Sequence, residues 1–314
     1  MSSSPARQPT PAPEALIAAE QAVLAATGVP IERHEADIAG VRMHYLTCGQ
    51  GEPLVMLHGR GANAAIFAPV LPLLAERRRV IAPDLPGWGL SEKPPFRGRT
   101  ARDALRVWRD GLVGFLDNQG LAQADLLGHS MGGFTALSLA LEQPERVSRL
   151  VLADAAGLGT RMQFDERVYF GLVPEKLHRR FGRRLTRMVV NRSNGERARP
   201  ELEGPMFELA HALLTQEDVI PSGAAAFHTW VNFTGVHYTL TDRLKELRMP
   251  TLLMWGDRDS VTNYHEAFVA ARTLWDGQMV AFTGCGHSPF AERPDDFARV
   301  LLTWLDNVHV PSRV

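Results

Sequence analysis

Two periods share this chain. Over Ile31–Ile38 and again over Val41–Cys48, polar and apolar residues alternate with the period of a half-buried strand, and the Ala39-Gly40 pair between them suits a tight turn. An antiparallel pair is expected there. Short runs that are apolar without alternation then follow at Leu54–Leu57, Val80–Ala82, Ala124–Leu127, Leu150–Ala153, Thr251–Trp255 and Met279–Phe282, separated by helical segments. Strands buried on both faces read this way, so the pattern predicts an α/β fold: a mostly parallel central sheet of about eight strands covered by helices on both faces. The last helix fits. Its Phe297, Val300, Leu301, Trp304 and Leu305 recur at spacings of three and four, leaving Asp295, Asp296, Arg299 and Asp306 for water.

The alternation of strand and helix stops after Gly157 and resumes at Pro250-Thr-Leu-Leu-Met-Trp255. Helical segments without clear strands fill the gap. The expected domains are therefore a core of residues 31–157 and 240–314 and a helical insertion of 158–239 after the sixth strand. Within the insertion Leu177, Phe181, Leu185 and Met188 share one helical face, while Arg179, Arg180, Arg183, Arg184 and Arg187 fall mostly on others. From Leu158 to Pro200 eleven Lys or Arg stand against four Asp or Glu. A solvated helix face explains this, since long arginines cover apolar surface with their heads in water; a positive rim favouring anionic substrates is the sharper alternative.

Residues 1–30 read as a flexible tail rich in Pro and Ser, followed by a short alanine-rich helix resting on the surface. Glu14, Glu20 and Gln21 interrupt the apolar character that a signal peptide needs. No segment has the length of a membrane span. Among 314 residues the formal net charge is -1, which gives no reason to expect nucleic acid or an anionic membrane as a partner. Two cysteines, Cys48 and Cys285, are too few for a disulfide framework and have no metal-ligand spacing around them. Reduced thiols in a cytoplasmic protein are expected, with no metal and no cofactor.

The candidate chemistry begins at Gly128-His-Ser-Met-Gly132. A Gly-x-Ser-x-Gly match arises by chance in roughly one chain in ten of this length. Its position adds the weight: Ala124–Leu127 reads as a strand and Met131–Glu142 as a helix, so Ser130 sits on the turn between them, and Gly128 and Gly132 give a strained turn its clearance. A serine hydroxyl needs a base. Of eleven histidines, His287 follows a predicted strand in Gly284-Cys-Gly-His-Ser-Pro289, at the sheet edge where strand C-termini gather. His129 is expected to pack or hydrogen-bond near the turn, His58 to shape its loop, and Asp84 and Gly87 to form a turn. A carboxylate must orient the imidazole, and Asp154, Asp257 and Asp259 all end strands on that edge.

These motifs, together with His58-Gly59, Asp84-Leu-Pro-Gly-Trp-Gly-Leu-Ser91 and Gly256-Asp-Arg-Asp259, occur in an order that resembles the α/β-hydrolase family over nearly the whole chain beyond the tail. The resemblance implies Ser130 as nucleophile, Asp259 as acid and His287 as base, with the backbone N–H groups of Met131 and Arg60 as oxyanion hole and residues 158–239 as a cap. Phe164, Tyr169, Phe170, Phe207 and Trp230 are the aromatic candidates for a pocket under it. The segments His58-Gly-Arg-Gly-Ala-Asn63 and Asp154-Ala-Ala-Gly-Leu-Gly159 also resemble hydrolases that cleave ring-fission products of aromatic degradation. Against that, His129 stands where those enzymes often have asparagine and Ser288 where they commonly have tryptophan. The expectation is a small-molecule ester hydrolase first and a carbon–carbon hydrolase of a ketone-acid substrate second. A third possibility from another class is a ligand receptor that keeps the triad without turnover.

Overall fold

The computed structural model describes residues 13–172, 182–188, 190 and 199–308. Its eight-stranded sheet is built from β1 (Glu32–Ile38), β2 (Val41–Cys48), β3 (Pro53–Leu57), β4 (Arg79–Pro83), β5 (Ala124–His129), β6 (Val147–Ala153), β7 (Thr251–Gly256) and β8 (Gly277–Phe282). Their spatial order is β1-β2-β4-β3-β5-β6-β7-β8. β2 pairs antiparallel with both β1 and β4, and the remaining pairings are parallel.

The apolar runs owe their lack of alternation to two covered faces. In β3, Val55 and Leu57 join the cluster on one face of the sheet while Leu54 and Met56 join the cluster on the other. In β7, Leu253 and Trp255 part from Leu252 and Met254 in the same way. Neighbouring side chains along a strand point to opposite faces, so a strand covered twice needs apolar residues at every position. The helix Ala101–Asn118 covers the first face with Trp108, Leu112 and Phe115; the helix Pro294–Asn307 covers the second with Phe297, Leu301 and Leu305. Thr100 starts the former through a capping box with Asp103.

Between β6 and β7 the described residues add nothing to the sheet. They contribute the helices Phe164–Leu172, Pro200–Leu214 and Ala225–His228 and a two-residue ladder of Val231–Asn232 with Gly235–Val236. Leu177, Phe181, Arg179 and Arg180 lie outside the described residues. Of the other arginines, Arg183 forms a salt bridge with Glu208, and both Arg183 and Arg187 lie over the Phe207 ring, at 4.9 and 5.4 Å.

The helix Glu14–Ala26 exposes Glu14, Ala15, Ala18, Gln21, Ala22 and Ala25 on one face and on the other buries Leu16, Val23 and Leu24 in a cluster with Leu202, Met206, Leu209 and Leu213 of the helix Pro200–Leu214, and with them Glu20 at 0% exposure. Among the described residues, no helix is long and apolar enough to cross a membrane.

Candidate active site

The parallel strands β3, β5, β6, β7 and β8 end on one edge, and the residues that follow each end meet there. Ser130 comes directly after β5 and directly before the helix Met131–Glu142, with φ 52° and ψ −118°. A non-glycine residue in that region costs of order 1–3 kcal/mol and persists only where its surroundings enforce it. Packing is the enforcement. A Cβ on Gly128 would meet the Gly132 carbonyl oxygen at 2.5 Å, one on Gly132 would collide with the Leu57 carbonyl, and one on Gly133 with Ala155. The helix therefore starts hard against β3 and β6, its first-turn N–H groups lacking intrahelical partners, Met131 foremost. The loop after β3 closes from the other side: a Cβ on Gly59 would stand 3.0 Å from the Ser130 Cβ.

His287, after β8, holds its ring through Nδ1, 2.8 Å from Asp259 Oδ2. Asp259 follows β7 and is held in turn, Oδ1 accepting the N–H groups of Val261 (2.7 Å) and Thr262 (3.1 Å) and Oδ2 also accepting the Thr262 hydroxyl. Burial would raise its pKa, but His287 and these donors bring it below the ordinary carboxylate value. Asp154, after β6, is also brought in: its carboxyl, that of Asp259 and the His287 ring offer atoms all within 4.8 Å of one another. Burial, and then the Asp259 charge, push the Asp154 pKa well up. Two carboxyls so close and so buried hold one negative charge more readily than two. Asp257 instead accepts the N–H of Gly284 at 2.7 Å and shapes the loop that leads to His287. Sequence order left Asp154, Asp257 and Asp259 open; the hydrogen bond to the His287 ring belongs to Asp259.

The other two histidines near the edge have structural bonds. His129 Nε2 donates to the carbonyl of His287 (2.8 Å), and its ring packs on the His287 ring at 4.8 Å between centroids. Burial and then the neighbouring His287 lower its pKa to about 3, so it is neutral. His58 accepts the N–H of Leu85 on Nε2 (2.9 Å), which places its proton on Nδ1, 2.7 Å from the Gly59 carbonyl. Burial lowers its pKa as well. Asp84 accepts the N–H groups of Ala64 (2.6 Å) and Leu90 (2.7 Å), tying two turns together.

Ser130 and His287 line one cavity of about 220 Å³, together with His129, Ser288 and the loop Gly59–Asn63. No hydrogen bond among the described residues joins the Ser130 hydroxyl to His287, and catalytic bonds often tighten only when substrate is bound. Apolar lining comes from Met206, Leu209, Leu213, Phe227 and Trp230, and cationic lining from Arg60 and Arg161. Of the aromatic candidates, Tyr169 and Trp230 line the cavity, and Trp230 stacks on Phe134 at 4.2 Å. Phe164 is 71% exposed, and neither it nor Phe207 reaches the lining. The Phe170 side chain lies outside the described ones. The sequence missed Phe227, whose ring lies 4.9 Å from the Arg60 guanidinium, and Glu266, which accepts the backbone N–H groups of Thr160 and Arg161 at the cavity rim. No local pattern separates such residues from ordinary core and surface.

A family model described as alpha/beta hydrolase fold matches residues 52–294. The chain is 33% identical over 270 residues to a 2-hydroxymuconate semialdehyde hydrolase of Pseudomonas sp. (strain CF600), covering 84% of this chain and 90% of that one. It is 27% identical to a 2-hydroxy-6-oxo-6-phenylhexa-2,4-dienoate hydrolase of Burkholderia cepacia, covering 87% and 94%. Among solved structures, a carboxylesterase from Bacillus subtilis superposes with a TM-score of 0.77 at 22% identity, covering 94% of this chain and 98% of that one.

Proposed function

The chain belongs to the α/β-hydrolase fold family, and from that premise we propose that it is a serine hydrolase cleaving a carboxylic ester, lactone or thioester of a small molecule through an acyl-enzyme on Ser130. One observation carries this reading: a serine held at φ 52° and a histidine bonded to a buried carboxylate line the same cavity. His287 accepts the Ser130 proton as the oxygen attacks the carbonyl carbon. Asp259 keeps the imidazole proton on Nδ1 and stabilises the imidazolium that forms. Negative charge on the carbonyl oxygen falls to the N–H groups of Met131 and Arg60, donors of a kind worth about 3 kcal/mol each. His287 then protonates the leaving alcohol, and a water that gives its proton to His287 releases the acid. Residues 158–239 act as the cap over a core of 31–157 and 240–314, since Tyr169, Met206, Leu209, Phe227 and Trp230 supply much of the cavity's apolar wall.

The second reading has its own support. The two relatives named above are hydrolases of 2-hydroxymuconate semialdehyde and of 2-hydroxy-6-oxo-6-phenylhexa-2,4-dienoate, unsaturated oxo compounds whose hydrolysis by this chain would be the carbon–carbon cleavage. His129 and Ser288, which differ from what the resemblance to ring-fission-product hydrolases implies, both line the cavity. The likeness to the Bacillus subtilis esterase concerns the fold alone.

Turnover of p-nitrophenyl acetate and butyrate and of a ring-fission dienoate, by the parent and by Ser130→Ala, tests both readings. Ester hydrolysis abolished in Ser130→Ala is the expected result. Dienoate turnover far above every ester reverses the ranking of the two activities. Equal rates in parent and variant remove the enzyme altogether and leave a binding protein on the same fold.

A further inference from the structure

The helix Glu14–Ala26 precedes the segment matched by the family model and carries none of the candidate catalytic residues. It nevertheless lies behind two walls of the cavity. Leu16, Ala19, Val23 and Leu24 pack in one cluster with Met206, Leu209 and Leu213, which line the cavity from the helix Pro200–Leu214. From the same helix Glu20 enters the interior at 0% exposure.

A carboxylate there demands partners, and it has three. Arg33 on β1 donates Nε to Oε1 at 2.8 Å, and His44 on β2 brings Nε2 within 3.3 Å of Oε1. Asn63 donates Nδ2 to Oε2 at 2.7 Å. Because a carboxylate only accepts, the last bond fixes which end of the Asn63 amide faces Glu20. Asn63 is itself fully buried, lines the cavity and closes the loop Gly59–Asn63, whose backbone carries the Arg60 N–H.

We propose that the N-terminal helix is part of the active site: Glu20, by holding Asn63, is a positioning residue for the loop that presents the Arg60 amide to the developing oxyanion. The proposal rests on the hydrolase reading for its catalytic consequence and on the hydrogen bonds above for its structural one. A loop released at Asn63 lets the amide drift from the point where charge develops, and a displacement of about 1 Å in a catalytic group costs up to about a hundredfold in rate. Ground-state binding in the apolar cavity does not depend on that donor.

The test compares Glu20→Leu and Glu20→Gln with the parent, counting active sites by fluorophosphonate labelling so that unfolded protein does not enter the rate. In Glu20→Leu, kcat per labelled site falls by about ten- to a hundredfold with KM little changed, and amide hydrogen exchange in residues 59–64 speeds up. Glu20→Gln keeps one carbonyl acceptor for Asn63 and falls between. Asn63→Ala lowers kcat similarly, and adding it to Glu20→Leu or Glu20→Gln lowers kcat no further, because the two side chains act through one bond. Unchanged kcat per site, or losses that simply multiply in the double variant, overturn the proposal. If Glu20→Leu does not fold, Glu20→Gln and Asn63→Ala carry the same comparison. A parent inactive on every substrate sinks the hydrolase reading separately; exchange in residues 59–64 that is unchanged by loss of Glu20 then sinks the positioning role without reference to activity.

Discussion

Among the described residues two histidines pair with buried carboxylates, and only one of them keeps a nitrogen clear. His44 has Asp84 on Nδ1 (3.2 Å) and Glu20 on Nε2 (3.3 Å). His287 has Asp259 on Nδ1 (2.8 Å), and no other side chain among the described residues bonds its ring. Burial alone would lower the pKa of His44, but Asp84 and Glu20 raise it to about 10, which makes the ring a fixed cation at neutral pH. The same pair of residue types thus makes a strut in one place and a candidate base in the other. What separates them is whether the second nitrogen meets a carboxylate or a cavity, a property of the surroundings that neither ring carries in itself.

The largest effect expected from this contrast is on turnover. His287→Gln lowers kcat by about ten-thousandfold or more, as losses within a serine–histidine–aspartate unit do, while its stability to urea stays close to that of the parent. The loss at His44 falls on the fold. His44→Leu leaves Glu20 and Asp84 buried without their shared cation, and removing one member of a buried charged set costs about 3–5 kcal/mol. Urea midpoints for the two variants check the pair. An equal loss of stability at both sites breaks the contrast.

Acidity sharpens it. With a folded pKa of about 10 against an ordinary histidine value of 6.5, the contribution of His44 is fully present below pH 6.5 and is lost as pH rises through about 10. The stability gap between parent and His44→Leu therefore narrows from pH 6 to pH 10. His129, with its pKa lowered to about 3, has the opposite sign: its contribution is present above pH 6.5 and is lost as pH falls toward 3, because the unfolded chain takes up a proton that the fold refuses. A gap for His44→Leu that stays constant over the alkaline range would mean that the ring is not held as a cation.

The part of this arrangement that repeats locally was legible in the sequence. Two alternating segments and six apolar runs marked the eight strands of the sheet, β5 and its following helix framed Ser130, and the loop after β8 singled out His287, because each depends on residues next to one another. Glu20 was not legible. Its partners Arg33, His44 and Asn63 lie 13 to 43 residues away, and in a helix read alone a Glu amid alanines belongs to the solvent side. Phe164 fails for the related reason that helical period places an aromatic residue on a face without saying what the face meets. The short segment 231–236 pairs as two two-residue strands, too brief for any period to register.

The smallest effect concerns the second carboxyl beside the candidate triad. Asp154 Oδ1 accepts the Gly256 N–H at 2.9 Å, and its carboxyl faces Asp259 and His287, with Glu292 also close enough to act on its charge. Burial and the Asp259 charge push its pKa well up and favour the neutral acid, which an amide can replace: in Asp154→Asn the oxygen still accepts from Gly256 and the NH₂ can donate toward Asp259. Turnover changes by no more than about threefold, whereas Asp259→Asn, which removes the charge and favours the wrong tautomer, loses about ten-thousandfold. Stability moves the other way. The unfolded Asp154 carboxyl ionises above its ordinary value of 3.8 while the folded one resists, so the parent loses stability as pH rises from there and the Asn variant is spared that loss. The two proteins should melt together near pH 3.5 and separate by pH 7 in favour of Asp154→Asn. Activity that falls as steeply in Asp154→Asn as in Asp259→Asn would place the functional charge on the residue after β6, and His287 would then answer to a different acid.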